Sequence, residues 1–280
     1  MNALSYETII SDSIPRANAR LPSGDPLMWS PITSTLISGS EDAVLVDPPM
    51  TTTQAERVAD RVSASGKRLR AIYVTHGHGD HWFGADVLVK RFPGAVVLAT
   101  PGTIALMRTQ ATEGRKKVFD PAFPGQIGDT EVLAQPVPRG GILLEGNALV
   151  PVEVGHSDTD DTTVLHVPSM GLVVAGDVVY NGVHQYLLEA GHGGIDGWLA
   201  ALDQVEALRP RALVAGHKNK ALPDEPTAIE ETRRYLRDVK RLIAARPTPE
   251  AYFEQMVRWH PDRLNRGPLW YSGVGLLAAP

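Results

Sequence analysis

The order of apolar segments predicts an α/β layer fold, on three observations. Short apolar strands alternate with segments of helical spacing through the first half of the chain. The same alternation returns after residue 148, and strands in both halves run directly into histidine or aspartate. That last feature ties the fold to chemistry, because strand ends on one edge of a sheet converge.

Residues 34–37 and 43–46 read as paired strands, and 51–65 as a helix stopped by Gly66. A strand over 69–74 leads into the run His76-Gly77-His78-Gly79-Asp80-His81. Then come a helix over 81–92, closed by Pro93-Gly94, and a buried strand over 95–99. From 112 to 147 prolines and glycines crowd the chain, which predicts hairpins and loops bordering a site. Strands follow at 148–154, 162–167 and 171–175, then a helix at 194–208 and a strand at 212–215. A long surface helix at 225–245 precedes a tail over 247–280 that bears tryptophan and proline. The reading is one domain over 1–280, with a loop-rich segment 112–147 and a helical, aromatic extension 221–280.

With 280 residues and 43% hydrophobic content, the chain can bury a continuous core without staples. It has no cysteine, so disulfides, thiolate ligands and a cysteine nucleophile are excluded. The formal charge is −5 and the basic residues are dispersed. This argues against nucleic acid or an anionic membrane as partner and for a small-molecule substrate. No segment has a secretory pattern or a spanning apolar run, so the expected address is the cytoplasm. The long helix offers a surface for a homodimer.

In the histidine run, four ligand-type side chains, His76, His78, Asp80 and His81, fall within six residues between a strand and a helix. A solvated loop has no reason to concentrate histidine in this way, whereas zinc takes such nitrogen and oxygen donors readily. The two glycines are expected to relieve crowding of the backbone. His156, Asp177 and His217 each follow a strand and a glycine, which brings the candidate ligands to seven and suits two adjacent metals. Zinc leads the candidate ions, and the same donors accept iron, manganese or cobalt. His184 and His192 lie in loops beyond Asp177 and are candidate substrate contacts, while His166 and His260 read as structural or solvated.

This ordered set, HGHGDH, then a lone histidine, Gly-Asp and Gly-His, resembles the metallo-β-lactamase superfamily over roughly residues 30–220. The resemblance implies an αββα sandwich, two mixed β-sheets flanked by helices with metals at one sheet edge. It also implies that His76, His78 and His156 hold a first metal, Asp80, His81 and His217 a second, and that Asp177 bridges them. Asp47 would then buttress the metal loop from behind.

Absence of cysteine and presence of Asp177 argue against the antibiotic-degrading branches, and His78 stands where the oxygen-reducing branch carries glutamate. What remains resembles glyoxalase II and the acyl-homoserine lactonases, with Tyr180 placed like a lactonase tyrosine. Only Lys218-Asn219-Lys220 offers a local basic set for glutathione. The expected activity is hydrolysis of a carboxylic ester, lactone or thioester by a hydroxide bridging two metals. Asp80 would carry the proton and Tyr180 stabilise the oxyanion. A phosphodiesterase on the same metals and a non-catalytic metal-binding sensor are the alternatives. The 112–147 segment and the aromatics Trp259, Trp270 and Tyr271 are the expected roof of the cleft.

Overall fold

The computed structural model describes residues 3–191 and 193–278. In chain order the first half contains β1 (Ser5–Ser11), β2 (Pro15–Arg20), β3 (Pro26–Met28), β4 (Ile32–Ser38), β5 (Asp42–Val46), α1 (Thr52–Ala64), β6 (Arg68–Tyr73), α2 (Ala85–Arg91), β7 (Val96–Ala99), α3 (Pro101–Thr109) and α4 (Asp120–Ala122). A π-helical run, Gln110–Phe119, joins the last two. The second half contains β8 (Gln135–Pro136), β9 (Ile142–Leu144), β10 (Asn147–Gly155), β11 (Thr162–Val167), β12 (Leu172–Val174), β13 (Tyr180–Asn181), α5 (Gly194–Ala207), β14 (Ala212–Val214) and β15 (His217–Lys218). It ends with α6 (Thr227–Ala244), α7 (Pro249–Trp259) and α8 (Arg266–Leu277).

One sheet has the order β1-β4-β5-β6-β7-β8 and the other β14-β12-β11-β10-β9. Both are mixed. β5, β6 and β7 run parallel because α1 and α2 carry the chain back between them, as a parallel pair requires. The other sheet is antiparallel except where β12 meets β14.

Alternation along the central strands explains the four layers. Val44 and Val46 of β5 join Leu165, Val167, Leu172 and Val174 in a core between the sheets. Ala43 and Leu45 of the same strand point the other way, onto Val58, Val62 and Leu88 of the outer helices. On the far side Val164 and Val173 meet Trp198, Leu202, Tyr235 and Leu236. Strands buried on both faces read as continuous apolar runs, and helices must cover each outer face. The αββα sandwich is thus built as expected.

Several local expectations change. The helix expected over 81–92 begins only at Ala85, after a single 3-10 turn at Gly79–His81. A regular helix would fan the ligand residues around its axis, and the irregular loop lets them face one way. The segment expected as hairpins and loops opens instead with the π-helical run and a short helical turn, and the C-terminal extension carries helices at residues 249–259 and 266–277. Pro101 and Pro249 sit in the first turn of their helices, where proline is tolerated. No helix among the described residues is long and apolar enough to cross a membrane.

Candidate metal centre

Four strands of the sandwich deliver polar residues to the same edge from their C-terminal ends. β6 leads to the histidine run, β10 to residues 156–158, β12 to Asp177 and β14 to His217. Among the described residues three groups of ligand atoms lie within 4.8 Å of one another. They are His76, His78 and Asp158; His76, His81 and Asp177; and Asp80, His81 and His217. All seven side chains are buried.

Each histidine spends one ring nitrogen outside the cluster and turns the other inward. His76 Nδ1 is 3.0 Å from Thr75 Oγ1, His81 Nδ1 is 3.3 Å from Asp47 Oδ2, and His217 Nδ1 is 2.7 Å from the Pro31 carbonyl. His78 is reversed, with Nε2 2.9 Å from Glu189 Oε1 and Nδ1 2.8 Å from Asp158 Oδ2. Such outer partners fix ring orientation and tautomer, which is how metal-binding imidazoles are usually held. Asp47 is itself locked at φ 53°, accepting from the Thr75 amide at 2.8 Å and from Thr75 Oγ1 at 2.7 Å. It stands behind the metal loop, where the resemblance placed it.

The inward atoms face one another rather than partners outside the cluster. His76 Nε2 and His78 Nδ1 lie 3.5 and 2.8 Å from Asp158 Oδ2, and His81 Nε2 lies 3.2 Å from Asp177 Oδ1, yet His76 Nε2, His81 Nε2, Asp158 Oδ2 and Asp177 Oδ1 form no well-directed hydrogen bond. Burying such groups without directed hydrogen bonds costs free energy, and divalent cations held among them would satisfy them. The donor set, imidazole with carboxylate and no sulfur, fits such an ion.

Charge in the cluster follows the same geometry. Burial alone would favour the neutral forms, yet Asp158 and Glu189 beside His78, and Asp177 and Asp80 beside His81, hold both imidazoles well above their usual range. Burial also opposes ionisation of Asp177, but His217 and His81 keep its carboxyl well below the usual range. His76 is pushed down, chiefly by burial.

Three expectations about individual residues are corrected. His156 belongs to none of the ligand groups: its Nδ1 is 2.7 Å from Asp160 Oδ1, and its Nε2 is buried beside Gly194 at the start of α5. The β10–β11 ladder shifts register between Glu153 and Gly155, and the loop that follows buries Asp158 fully, two residues on. Tyr180 does not face the cleft. It is fully buried, and its hydroxyl donates to Asp177 Oδ2 at 2.7 Å, so it orients a candidate ligand. His184 is no substrate contact: it is buried with Nδ1 3.0 Å from the Tyr235 hydroxyl, and burial together with Arg263 pushes it down to about 3. His192 lies outside the described residues.

The glycines of the histidine run act by close packing. Neither Gly77 nor Gly79 has positive φ, but a Cβ at Gly79 would enter the Phe83 ring and one at Gly77 would meet Leu106.

A cleft of about 230 Å³ opens above the cluster, reaching His78, Asp80, Asp177 and His217. Val118 and Phe119 of the π-helical run form one wall, and Pro268 and Tyr271 of α8 another. Both expected roof segments therefore contribute. Trp259 and Trp270 do not: Arg241 lies over the Trp259 ring, and Trp270 packs on Phe253. Sequence patterns missed Asp158, Glu189, Thr75 and Trp29, whose Nε1 donates to Asp80 Oδ2 at 2.8 Å. Of these Asp158 alone carries a signal, the i, i+2 spacing from His156 that repeats His76-x-His78.

Comparison with known proteins agrees with this architecture. The chain is 31% identical over 166 residues to a hydroxyacylglutathione hydrolase of Synechococcus sp., covering 59% of this chain and 54% of that protein. It is 30% identical over 181 residues to the hydroxyacylglutathione hydrolase of Chromohalobacter salexigens, covering 64% and 58%. The chain thus spans little more than half the length of these relatives. Among solved structures, a metallo-beta-lactamase family protein from Thermus thermophilus superposes with a TM-score of 0.64 at 18% identity, covering 96% of this chain and 92% of that one. At that identity the likeness speaks for the fold. Residues 27–217, which include every strand that feeds the metal centre, match the metallo-beta-lactamase superfamily, and the chain belongs to that superfamily.

Proposed function

We propose that the protein is a metal-dependent hydrolase that uses two divalent ions to cleave a carboxylic ester, lactone or thioester of a small molecule. The supporting observation is the convergence of seven buried histidine and aspartate side chains into overlapping sets of ligand atoms, with His78, Asp80, Asp177 and His217 lining a cleft. His76, His78 and Asp158 would hold one ion, Asp80, His81 and His217 the other, and Asp177 would lie between them. Zinc suits the imidazoles, while carboxylate at Asp158 in place of histidine broadens acceptance toward manganese or iron. Bound ions would supply a Lewis acid for the acyl carbonyl and a water acidified toward neutrality.

The chain's own groups supply the rest. Asp47, Thr75, Glu189 and the Pro31 carbonyl keep the four imidazoles aimed inward. The Trp29 indole holds Asp80 by Oδ2, and Asp80, which lines the cleft, would take a proton on its other carboxylate oxygen and return it to the leaving group. Glutathione thioesters are not favoured by the local lysines, since Lys218 is buried against Asp224 and Lys220 pairs with Asp12.

The test is metal analysis of the purified protein joined to a panel of chromogenic esters, lactones, thioesters and a phosphodiester. Two equivalents of divalent metal with acyl turnover, lost on chelation and restored by metal, is the expected result. Full activity without metal would refute the reading, and turnover confined to the phosphodiester would replace it.

A further inference from the structure

Arg16, on β2, is the one lysine or arginine among the described residues that line the cleft. Its guanidinium carbon lies 5.7 Å from the centroid of the Trp29 ring and 5.8 Å from that of Tyr271. Its Nε is buried without a hydrogen bond, and no carboxylate among the described residues lies within 4.0 Å of the group. Exposed arginines of this chain, such as Arg61, Arg68 and Arg91, have found carboxylates. A partly buried guanidinium without hydrogen bond or counter-ion is costly unless a ligand completes it. Both aromatic rings lie within cation–π range of the guanidinium, whose planar fork is the geometry that takes a carboxylate in a bidentate manner.

Position gives this group its meaning. Trp29 touches both ends of the arrangement: its ring carries Arg16 and its indole N–H binds Asp80 of the metal cluster. Arg16 is thus one indole removed from the metal centre. The intervening cleft is lined by Val118, Phe119, Leu188 and Pro268.

We infer that Arg16 is a specificity-determining residue, and that the cleft takes an acyl compound whose apolar body ends in a carboxylate bound by this guanidinium. This rests on the dinuclear hydrolase reading for the position of the scissile bond. Water adds across the acyl bond, giving an acid and releasing an alcohol or thiol that takes the second proton. The distal carboxylate is unchanged. A saturated α,ω-dicarboxylate reproduces the two ends, one at the metals and one at Arg16.

Calorimetric titration of the metal-loaded protein with the dicarboxylates from succinate to suberate, each against the monocarboxylate of equal carbon number, tests the inference. At one chain length the dicarboxylate is expected to bind about ten-fold tighter or better, the scale of a charge-assisted bidentate contact. Arg16→Gln should bring that ratio close to one, and Arg16→Lys should keep part of it. Circular dichroism checks that the variants fold. A wild-type series in which no dicarboxylate outbinds its monocarboxylate overturns the inference whatever the variants do, and so does a ratio that survives Arg16→Gln. Because the ratio is read without turnover, failure of every ester in the panel would remove the hydrolase reading and leave the Arg16 result to stand or fall alone.

Discussion

Asp158 and His156, two residues apart, separate what a motif suggests from what a fold places. Asp158 is fully buried with Oδ2 2.8 Å from His78 Nδ1, while His156 keeps part of its side chain in solvent beside Asp160. Asp158→Ala should therefore drop bound metal from two equivalents toward one and cut turnover by about 100-fold or more. His156→Ala should retain its metal. Elemental analysis of the two variants decides, and the reverse pattern would restore His156 as ligand. Tyr180 makes a second residue-level case, since its hydroxyl donates to the Asp177 carboxylate inside the core. Tyr180→Phe should cost about 1.5 to 3 kcal/mol of stability, the usual worth of a hydrogen bond to a charged group. Metal should also exchange faster, with KM little changed, and an unaltered melting temperature would contradict this placement.

Among elements, the two β-hairpins that close the sandwich are tied by Glu145. This residue sits in the β9–β10 turn and accepts from the Ser40 and Glu41 amides and the Ser40 hydroxyl in the β4–β5 turn and from the Asp42 amide at the start of β5. Those donors, led by the Glu41 and Asp42 amides, hold its carboxyl far below the usual range. A depressed carboxylate stabilises the fold above its unfolded value, near 4.5, and loses that contribution as pH falls toward the folded one. Glu145→Gln should thus lower the melting temperature by a few degrees at pH 7, and the gap to wild type should narrow below pH 4.5. Melting curves across that range provide the check. The metal loop shows where periodicity misleads about an element. Spacing is helical from residue 81, but the helix waits until Ala85 because His76, His78, Asp80 and His81 need the non-helical turn to share one direction.

At the scale of the whole molecule, the helical layer formed by α5 to α8 buries imidazoles that the site does not use. His184 is pushed down to about 3 and His260 to about 4, each chiefly by burial, with Arg263 adding repulsion and Asp238 partly offsetting it at His260. Between about pH 6.5 and these values the unfolded chain binds protons that the folded chain refuses, so stability falls as pH drops. For His184 the slope approaches about 1.4 kcal/mol per pH unit well below pH 6.5, and His260, with the smaller displacement, contributes over a narrower range of pH. Urea midpoints measured from pH 7 to pH 5 should decline, and His184→Gln should flatten the decline. A variant with the wild-type slope would assign the acid sensitivity elsewhere.

By itself the sequence determined the layers and most of the donors. Apolar runs at strand and helix spacing are a one-dimensional record of burial, so β4 to β7 and β10 to β12 could be read from period alone, as could α1, α5 and α6. His76, His78, Asp80, His81, Asp177 and His217 were legible because ligand-type residues crowd strand ends beside glycine. Tertiary structure decided what no local pattern encodes. A shift in one strand ladder chose Asp158 over His156, packing turned Tyr180 toward Asp177, and α6 covered His184 with Tyr235. It also carried Arg16 from an N-terminal strand to the cleft, between aromatic rings 13 and 255 residues farther along the chain at Trp29 and Tyr271. The physical reason is common to all of these. Which buried polar atom meets which partner depends on side-chain packing across distant segments, and only the closed sandwich brings those segments together.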